Sequence, residues 1–242
     1  IGAGTAGVSA AMRASEKGSR VCIIEQQKIG GSCFNKGLYP IQLGLNLLKN
    51  NKLEFSRDGG VDFKKLFATI TNTTSSLSQL WEKKLIDSGV TIVIGRGLPL
   101  SSALVQVRSN KETFDFGAKK IIIATGSDPV SLPTLPFEDD IIVPMDDILR
   151  TKSIPERVFL MGAGHHSCET ALFYQKLGSK VFLTSDQSRL FPDQDPDAID
   201  YLEQSLKGQK IKLLLGKTIS SYFKNKESLD ITLAEGVKFQ VD

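Results

Sequence analysis

The sequence predicts an α/β protein made of two doubly wound domains, each a parallel sheet with helices packed on its faces. A glycine-rich turn occurs twice, with the same spacing between its three small residues. These residues are Gly2, Gly4 and Gly7 in the first copy and Gly162, Gly164 and Ser167 in the second. Each copy is followed by a helical stretch, a second glycine and a buried strand. This succession is typical of a βαβ unit, so we expect one domain over residues 1–150 and another over residues 151–242.

The first glycine-rich turn predicts a phosphate-binding site. The first glycine turns the chain off a strand, the second lets backbone N–H groups approach a pyrophosphate, and the third lets the helix pack closely. We expect the helix over Thr5–Lys17, ended by Gly18, and the next strand over Val21–Ile24. Glu25 follows that strand, where its carboxylate would meet a ribose diol. In the second copy, Ser185 takes this position.

Composition limits the possible classes of function. The 242 residues are 40% hydrophobic, which is enough for the cores of two domains, and 30 basic against 27 acidic residues give a charge of +3. This balance disfavours a nucleic-acid partner, and no apolar run predicts a membrane span. The few, widely spaced cysteines favour a reducing, cytoplasmic location. No strand precedes the first glycine, so we expect a fragment of a longer chain.

Apolar patterning predicts the remaining elements. Between the glycine-rich turns we expect a helix over 61–88, strands over 91–94, 104–107 and 113–116, a buried strand over 120–127 and a connection over 128–150. After residue 150 we expect strands over 158–161, 180–183 and 211–215, helices over 165–177 and 195–206, and a hairpin of 228–233 with 238–241. The strand over 120–127 ends in Ala124, Thr125 and Gly126, small residues that leave its backbone open to a ligand or simply end the strand.

The segment Gly30–Gln42 resembles a signature of the pyridine nucleotide-disulfide oxidoreductases, the dihydrolipoamide dehydrogenase and glutathione reductase family. The two glycine-rich turns, the Ala124–Gly126 strand end and the Phe191–Asp193 segment match the family in the same order. The resemblance implies a flavoprotein with FAD in the first domain, NAD(H) or NADP(H) in the second, and the two rings meeting between them. It also implies a homodimer formed through a C-terminal domain outside this sequence.

The resemblance carries cofactor contacts over to particular positions. It implies FAD contacts at Gly2, Gly4, Gly7, Glu25, Gly31, Ser32, Cys33, Gln42, Gly97, Ala124, Thr125 and Gly126. It implies contacts with the nicotinamide nucleotide at Gly162, Gly164, Ser167 and Ser185. Cys33 and Glu169 are the candidate catalytic residues.

Two departures from the family bear directly on chemistry. The family's second redox cysteine is replaced by Leu38, which cannot form a disulfide with Cys33, so dithiol–disulfide exchange by that route is unavailable. The family's lysine near the flavin is replaced by Gln42, and Glu169, at the position of that lysine's acidic partner, is expected to lose its ion pair.

The cysteines and histidines each allow more than one interpretation. Cys33 is either a nucleophile whose pKa a helix N-terminus lowers or a residue that only packs, and packing is the favoured interpretation. Cys22 and Cys168 are expected to be small core residues. His165 and His166 lie beside Cys168 and Glu169, but adjacent helical residues point in different directions, so no metal site is expected. The two imidazoles would instead cover a nicotinamide pocket or donate to phosphate.

The choice of nicotinamide nucleotide depends on the residues around Ser185. Serine neither binds a ribose diol firmly nor pairs with a 2′-phosphate. Asp186 disfavours NADPH, while Arg189 and Lys180 could offset that carboxylate, and the balance slightly favours NADH.

Three functions fit these residues. The first is an FAD-dependent NAD(P)H oxidoreductase that passes hydride from nicotinamide to flavin and on to a small non-disulfide acceptor: a quinone, a dye or a second nicotinamide. The second is a catalytically degenerate family member that binds flavin or a partner. The third is a dihydrolipoyl dehydrogenase by similarity, which would have to use another thiol. The acceptor and the oligomeric state stay open at this stage.

Overall fold

The computed structural model describes residues 1–50, 61–110, 112–138, 141–150, 153–225 and 228–242. The chain divides into two compact units. The first unit comprises residues 1–40 and 69–128, and the second comprises residues 41–68 and 129–242. Two helices, α3 over Leu38–Lys49 and α4 over Phe63–Asp87, run across the boundaries between these ranges.

The first unit contains one parallel strand pair and one antiparallel sheet. Its elements are helices α1 (Thr5–Glu16) and α2 (Gly31–Asn35) and strands β1 (Cys22–Glu25), β2 (Thr91–Ile94), β3 (Arg96–Ser101), β4 (Leu104–Arg108) and β5 (Thr113–Gly117). β1 pairs with β2 in parallel, with Cys22 opposite Thr91 and Glu25 opposite Ile94. β3, β4 and β5 form an antiparallel meander in chain order.

The core of the first unit lies between α1, the end of α4 and the parallel strands. Its buried members are Ala3, Val8, Ala11, Ile23, Ile29, Leu85 and Val90. α1 places Val8 and Ala11 on one face, because residues three apart are neighbours on a helix. Cys22, which was expected in the core, is exposed. It is the first residue of β1, and burial begins only at the next position of that strand.

The second unit repeats this succession with one more parallel strand. Its elements are strand β6 (Arg157–Met161), helix α5 (His165–Lys176), β7 (Lys180–Ser185), α6 (Pro196–Gly208), β8 (Lys212–Leu215), β9 (Ile219–Lys224), β10 (Leu229–Leu233) and β11 (Lys238–Val241). β6, β7 and β8 form a parallel sheet in that order, and β9, β10 and β11 form an antiparallel sheet. Phe182, Leu229, Ile231, Leu233, Phe239 and Val241 form a buried cluster.

The predicted α/β class, the helices after both glycine-rich turns and the hairpin of β10 with β11 are confirmed. The predicted buried strand over 120–127 is wrong, because that segment forms no regular strand, and Ile122 and Ile123 are exposed. Two hydrogen bonds join this segment to Ile1. The Ile1 nitrogen donates to the Ile122 carbonyl (2.7 Å), and the Ala124 N–H donates to the Ile1 carbonyl (2.8 Å).

Five of the described elements were not predicted: α2, α3, β3, β9 and a 3₁₀ helix. α3 forms immediately after the Gly30–Gly37 segment, and a 3₁₀ helix over Met145–Arg150 ends the expected irregular connection. Within the described parts of the chain, no helix combines the length and the apolar character needed to cross a lipid bilayer.

Candidate functional site

The first glycine-rich turn lies at the carboxyl end of β1. The Gly2 N–H donates to the Ile24 carbonyl (2.8 Å), which ties the turn to the strand. Gly2 has a φ of +96°, and a Cβ atom added there would overlap the Ala124 carbonyl oxygen and lie 2.7 Å from its carbon. The structure therefore brings Ala124 against the turn, and only glycine fits at position 2.

Gly7 and Gly31 are fixed by close backbone approach. A Cβ atom at Gly7 would overlap the Gly2 carbonyl oxygen and lie 2.9 Å from the Gly2 carbonyl carbon. A Cβ atom at Gly31 would lie 2.8 Å from the Cα atom of Gly4. Gly4 faces more open space, since Gly31 Cα, at 3.9 Å, is the nearest atom to its added Cβ. The turn thus packs tightly behind Gly4 and leaves Gly4 open.

The N-terminus of α1 has the properties of an anion site. Its N-cap, Gly4, supplies no side chain to bond the first N–H groups, and no acidic residue lies in the first turn. α6 shows the usual alternative, because its N-cap Asp195 accepts from the N–H groups of Asp197 and Ala198 (3.0 and 3.2 Å). The uncapped donors of α1 fit a pyrophosphate, which would satisfy them and lie at the positive end of the helix dipole.

Glu25 is buried at the end of β1, and both its oxygens accept from backbone groups. Oε2 accepts from the Ala3 N–H and Oε1 from the Gln27 N–H, each at 2.7 Å. The Glu25 carboxylate therefore stabilises the glycine-rich turn through its hydrogen bond with the Ala3 N–H. An ionised carboxylate has about four lone-pair directions, so Glu25 retains capacity for the hydroxyls of a ribose.

The segment after β1 adds a second wall to this site. The Gly30 N–H donates to the Ala3 carbonyl (2.8 Å), and Gly30, at a φ of +98°, begins α2. Sequence reasoning omitted Gly30 from the site, although the Gly30–Gly31 doublet indicated a close backbone approach. Lys36 reaches Asp128 through a 3.0 Å ion pair, which joins this segment to the chain that follows Gly126.

The other predicted site residues of the first unit differ in their exposure to solvent and in their neighbours. Ser32, Thr125 and Gly126 are exposed. Gly97 lies within β3, where an added Cβ atom would meet Ile1 and Ile24 side chains at 3.0 and 3.2 Å. Gly97 therefore faces apolar side chains.

Cys33 lies in α2 and is partly buried. Burial raises the pKa of its thiol. A helix of five residues does not reverse that effect, so the Cys33 thiol lacks the lowered pKa expected of a reactive cysteine.

The second glycine-rich turn repeats the backbone contacts of the first. The Gly162 N–H donates to the Thr184 carbonyl (2.8 Å), and the Phe191 N–H donates to the Ala163 carbonyl (2.9 Å). Gly164 is again an N-cap without a side-chain bond, and α5 has no acidic residue in its first turn. Ser167, at the third small position, is buried, and its Oγ occupies the space beside Gly162.

A cleft of about 230 Å³ opens at this second turn. It is lined by Ala163 and Gly164 on one side and Phe191, Pro192, Asp193 and Gln194 on the other. The Phe191–Gln194 wall was not among the predicted site residues. Its signal in the sequence was the match of Phe191–Asp193 to the family. In the structure, Phe191 has a left-handed backbone (φ +43°).

Ser185 ends β7 at the carboxyl edge of the parallel sheet, where it is buried and its hydroxyl accepts from the Gln187 N–H (3.1 Å). Lys180, which was considered able to offset the Asp186 carboxylate, lies too far along the strand to do so. It begins β7, five residues before Ser185. At about 3.3 Å per residue the two lie roughly 16 Å apart, because side chains at opposite ends of one strand cannot converge.

Gln42 and Glu169 meet within the second unit. Gln42 Nε2 donates to Glu169 Oε1 (3.2 Å), so a hydrogen bond from an uncharged amide stands where the resemblance implied a lysine ion pair. Glu169 Oε2 is buried and has no hydrogen-bond partner among the described residues.

The histidines of α5 differ from one another. His165 is exposed, while His166 Nδ1 lies 3.8 Å from the Asp146 carboxylate. Among the described residues no group of three or more His, Cys, Asp and Glu side chains could hold a metal ion. Cys168 is buried, as predicted, and burial raises its thiol pKa to about 11.

Comparisons with known proteins agree with this geometry. The family model described as pyridine nucleotide-disulphide oxidoreductase matches residues 1–242. The chain is 36% identical to a dihydrolipoyl dehydrogenase of Buchnera aphidicola over 97% of its own length and 51% of that protein. It is 28% identical to a mercuric reductase of Staphylococcus aureus over 100% of its length and 45% of that protein.

A solved structure shares the fold. The crystal structure of LpdA from Mycobacterium tuberculosis superposes with a TM-score of 0.89 at 21% identity, covering 100% of this chain and 56% of that one. The chain therefore spans about half the length of the relatives that it matches.

Proposed function

We propose that this chain, which belongs to the pyridine nucleotide-disulphide oxidoreductase family, acts as an FAD-dependent NAD(P)H oxidoreductase. One observation carries the proposal: two helices, α1 and α5, begin at uncapped glycine turns on the carboxyl ends of parallel strands in one chain. Two such turns suit two dinucleotides, and the family uses FAD and a nicotinamide nucleotide.

The residues present fit both cofactors. We assign FAD to residues 1–150, where the N-terminus of α1 would hold the pyrophosphate and Glu25 would accept from the adenosine ribose. We assign the nicotinamide nucleotide to residues 151–242, with its phosphates at Gly164 in the cleft beside Phe191. When bound, the two cofactors supply hydride transfer between a nicotinamide and a flavin ring. The chain contributes binding and orientation, by presenting unpartnered N–H groups on rigid helices.

We further propose a small electron acceptor other than a disulfide. Leu38 begins α3 where the family resemblance expects the second redox cysteine, and a leucine side chain forms no disulfide with Cys33. Burial raises the Cys33 pKa, which also disfavours thiolate chemistry there. A quinone, a dye or a second nicotinamide nucleotide requires no protein thiol to take up electrons. The predicted homodimer and cytoplasmic location stay predictions.

An anaerobic titration with NADH, and separately with NADPH, tests the proposal. The purified protein is expected to carry FAD, and its visible flavin absorbance should fall on addition of the nucleotide. A quinone should then restore the absorbance, while lipoamide should not. The Leu38→Cys variant is the matched comparison, because it restores the cysteine pair and should allow lipoamide to reoxidise the flavin.

Two outcomes would contradict parts of this proposal. A yellow protein whose absorbance NADH and NADPH leave unchanged would support the degenerate flavin-binding alternative. Reoxidation of the unaltered protein by lipoamide would support the dihydrolipoyl dehydrogenase alternative. That alternative is favoured by similarity to dihydrolipoyl dehydrogenases, among them that of Buchnera aphidicola, and opposed by Leu38.

A further inference from the structure

The Gly30–Gly31 pair forms a wall of the first glycine-rich turn. Gly30 is bridged to Gly4 in a parallel pairing, and its N–H donates to the Ala3 carbonyl (2.8 Å). Gly31 lies against Gly4, since a Cβ atom added at Gly31 would come within 2.8 Å of the Gly4 Cα atom. Both glycines of the pair have a left-handed backbone, at φ values of +98° and +57°. The position of Gly4, the N-cap of α1, therefore depends on what holds this glycine pair.

The Asn35 side chain bridges the carbonyl groups of the residues on either side of Gly30. Its Nδ2 group donates to the Ile29 carbonyl (3.1 Å) and to the Gly31 carbonyl (3.0 Å). An amide NH₂ group carries two donor hydrogens, so these two carbonyls use the whole donor capacity of Asn35. The amide thereby fixes the spacing of the two carbonyls, and with it the backbone of the glycine pair.

Ser78 supports the same carbonyl from helix α4. It is buried, its Oγ donates to the Ile29 carbonyl (2.6 Å), and that Oγ lies 3.2 Å from Asn35 Oδ1. Trp81 lies on the same face of α4, because residues three apart are neighbours on a helix. Its ring packs edge-on against Phe34, with 4.8 Å between the ring centroids. One face of α4 therefore holds two consecutive residues of α2.

The Ser78 hydroxyl is directed away from its own helix. Ser76, two residues earlier, is exposed, and its Oγ donates to the Asn72 carbonyl four residues before it (2.9 Å), as helical serines commonly do. Ser78 instead gives its single hydrogen to a residue 49 positions away. Such an outside support matters at a glycine pair, because glycine adopts left-handed and right-handed backbone about equally well.

We propose that Ser78 and Asn35 are positioning residues of the FAD site. They hold the Gly30–Gly31 pair against Gly4, so that the uncapped N–H groups of α1 point at the pyrophosphate. The inference rests on the proposed function, because it assumes that FAD binds at the first glycine-rich turn. Both side chains donate to backbone carbonyls, so their effect on FAD passes through the backbone.

Equilibrium titration of the flavin-free full chain with FAD, followed through the flavin fluorescence, tests this without turnover. Ser78→Ala and Asn35→Ala should each weaken FAD binding about tenfold, a factor that corresponds to about 1.4 kcal/mol. The double variant should weaken binding less than about thirtyfold, below the product of the two factors, because both side chains act on one glycine pair. Ser78→Thr keeps the hydroxyl and should bind FAD within about threefold of the unaltered protein.

The control variant is Ser76→Ala, the same substitution on the same helix. It removes an exposed hydroxyl whose bond is local, so the affinity for FAD should stay within about twofold. All titrations are run well below the thermal unfolding midpoints of the flavin-free variants, so that each protein is folded throughout. A hydroxyl that only stabilises packing would lower the midpoint of Ser78→Ala and leave its affinity for FAD unchanged.

The outcomes separate the two claims. If the unaltered protein binds FAD and both alanine variants bind it equally well, the positioning role is overturned and the proposed function stands. Losses that multiply in the double variant, or a Ser78→Thr variant as weak as Ser78→Ala, would also overturn the positioning role. Should Ser78→Ala fail to fold, Asn35→Ala carries the same test. An unaltered protein that binds no FAD would overturn the proposed function and this inference with it.

Discussion

The two glycine-rich turns share a backbone but differ in how tightly they close. Each is followed by a helix of 12 residues, and each first glycine donates to the strand behind it at 2.8 Å. In the first turn the third small residue is Gly7, pressed against the Gly2 carbonyl. In the second turn the equivalent residue is Ser167, which carries a side chain at that place and remains buried.

This difference shows that the size of the residue allowed at the third position depends on the backbone geometry of each turn and not on the glycine-rich motif alone. Gly2 has a φ of +96° and Gly162 a φ of +134°, so the backbone conformation at the first glycine differs between the two turns. In the second turn the space beside Gly162 is filled by Ser167 Oγ, which lies where a Cβ atom on Gly162 would be. The first position therefore excludes a side chain in both turns, whereas the third position excludes one only in the first turn.

Exchange of the third residues should produce the largest effect. Gly7→Ser places a Cβ atom over the Gly2 carbonyl oxygen, a backbone atom that cannot rotate away. We expect the free energy of unfolding to fall by about 3 kcal/mol or more, as for other severe overlaps in packed regions. Urea unfolding of the purified variant measures this change.

The reverse exchange is the control. Ser167→Gly removes a buried side chain from α5 without creating an overlap, so the cost should be about 1 kcal/mol, the usual preference against glycine in a helix. Equal costs for Gly7→Ser and Ser167→Gly would show that the two turns do not differ in closeness.

An intermediate effect is expected at the two strand ends. Glu25→Gln keeps the shape of the side chain but replaces one accepting oxygen by an NH₂ group, which would face either the Ala3 or the Gln27 N–H. Leaving a buried donor unsatisfied costs about 2 kcal/mol. Ser185→Ala removes one neutral hydrogen bond to the Gln187 N–H and should cost about 1 kcal/mol.

The same urea experiment compares these two variants. Amide hydrogen exchange at Ala3 and Gln27 adds a local measurement, because the Glu25 carboxylate protects both N–H groups. If Ser185→Ala destabilises the protein more than Glu25→Gln, the hydrogen bonds of the Glu25 carboxylate do not contribute more to stability than that of the Ser185 hydroxyl.

Much of this arrangement could be predicted from the sequence because it depends on local rules. Helix α1 begins within the glycine-rich turn and ends near Gly18, which has a φ of +79°. The sequence signals for both ends of this helix therefore lie within the segment itself. The same holds for Glu25, whose position after a buried strand fixes its place at the edge of the sheet.

Other features depend on contacts that no local pattern records. The apolar pattern over 120–127 predicts a strand, but the segment forms no regular ladder, and Ile122 and Ile123 stay exposed. Lys180 and Ser185 are close in sequence, yet an extended strand carries them to opposite ends of the sheet. Phe191 lines the second cleft, and its N–H donates to the Ala163 carbonyl, a contact between residues 28 positions apart in the sequence.

The smallest expected effect concerns the cysteines, which differ between the units in exposure. Cys22 is exposed, whereas Cys168 is buried and its pKa is raised from 9.0 to about 11 by burial, reinforced by Glu169 and Glu203. Iodoacetamide at pH 8 should therefore modify Cys22 first and leave Cys168 unmodified until the protein unfolds. Peptide mapping at successive times measures the order, and early modification of Cys168 would contradict its burial.

The raised pKa of Cys168 also implies a pH dependence of stability. The thiol is neutral in both states below pH 9, so its contribution is fully present there. Above that pH the unfolded chain loses its proton first, and the free energy of unfolding should fall as the pH rises towards about 11. Cys168→Ala removes the titrating group, so the difference between the two proteins should shrink over this range. A slope that is identical in both would mean that Cys168 ionises as readily in the folded chain as in the unfolded one, which its position inside α5 opposes.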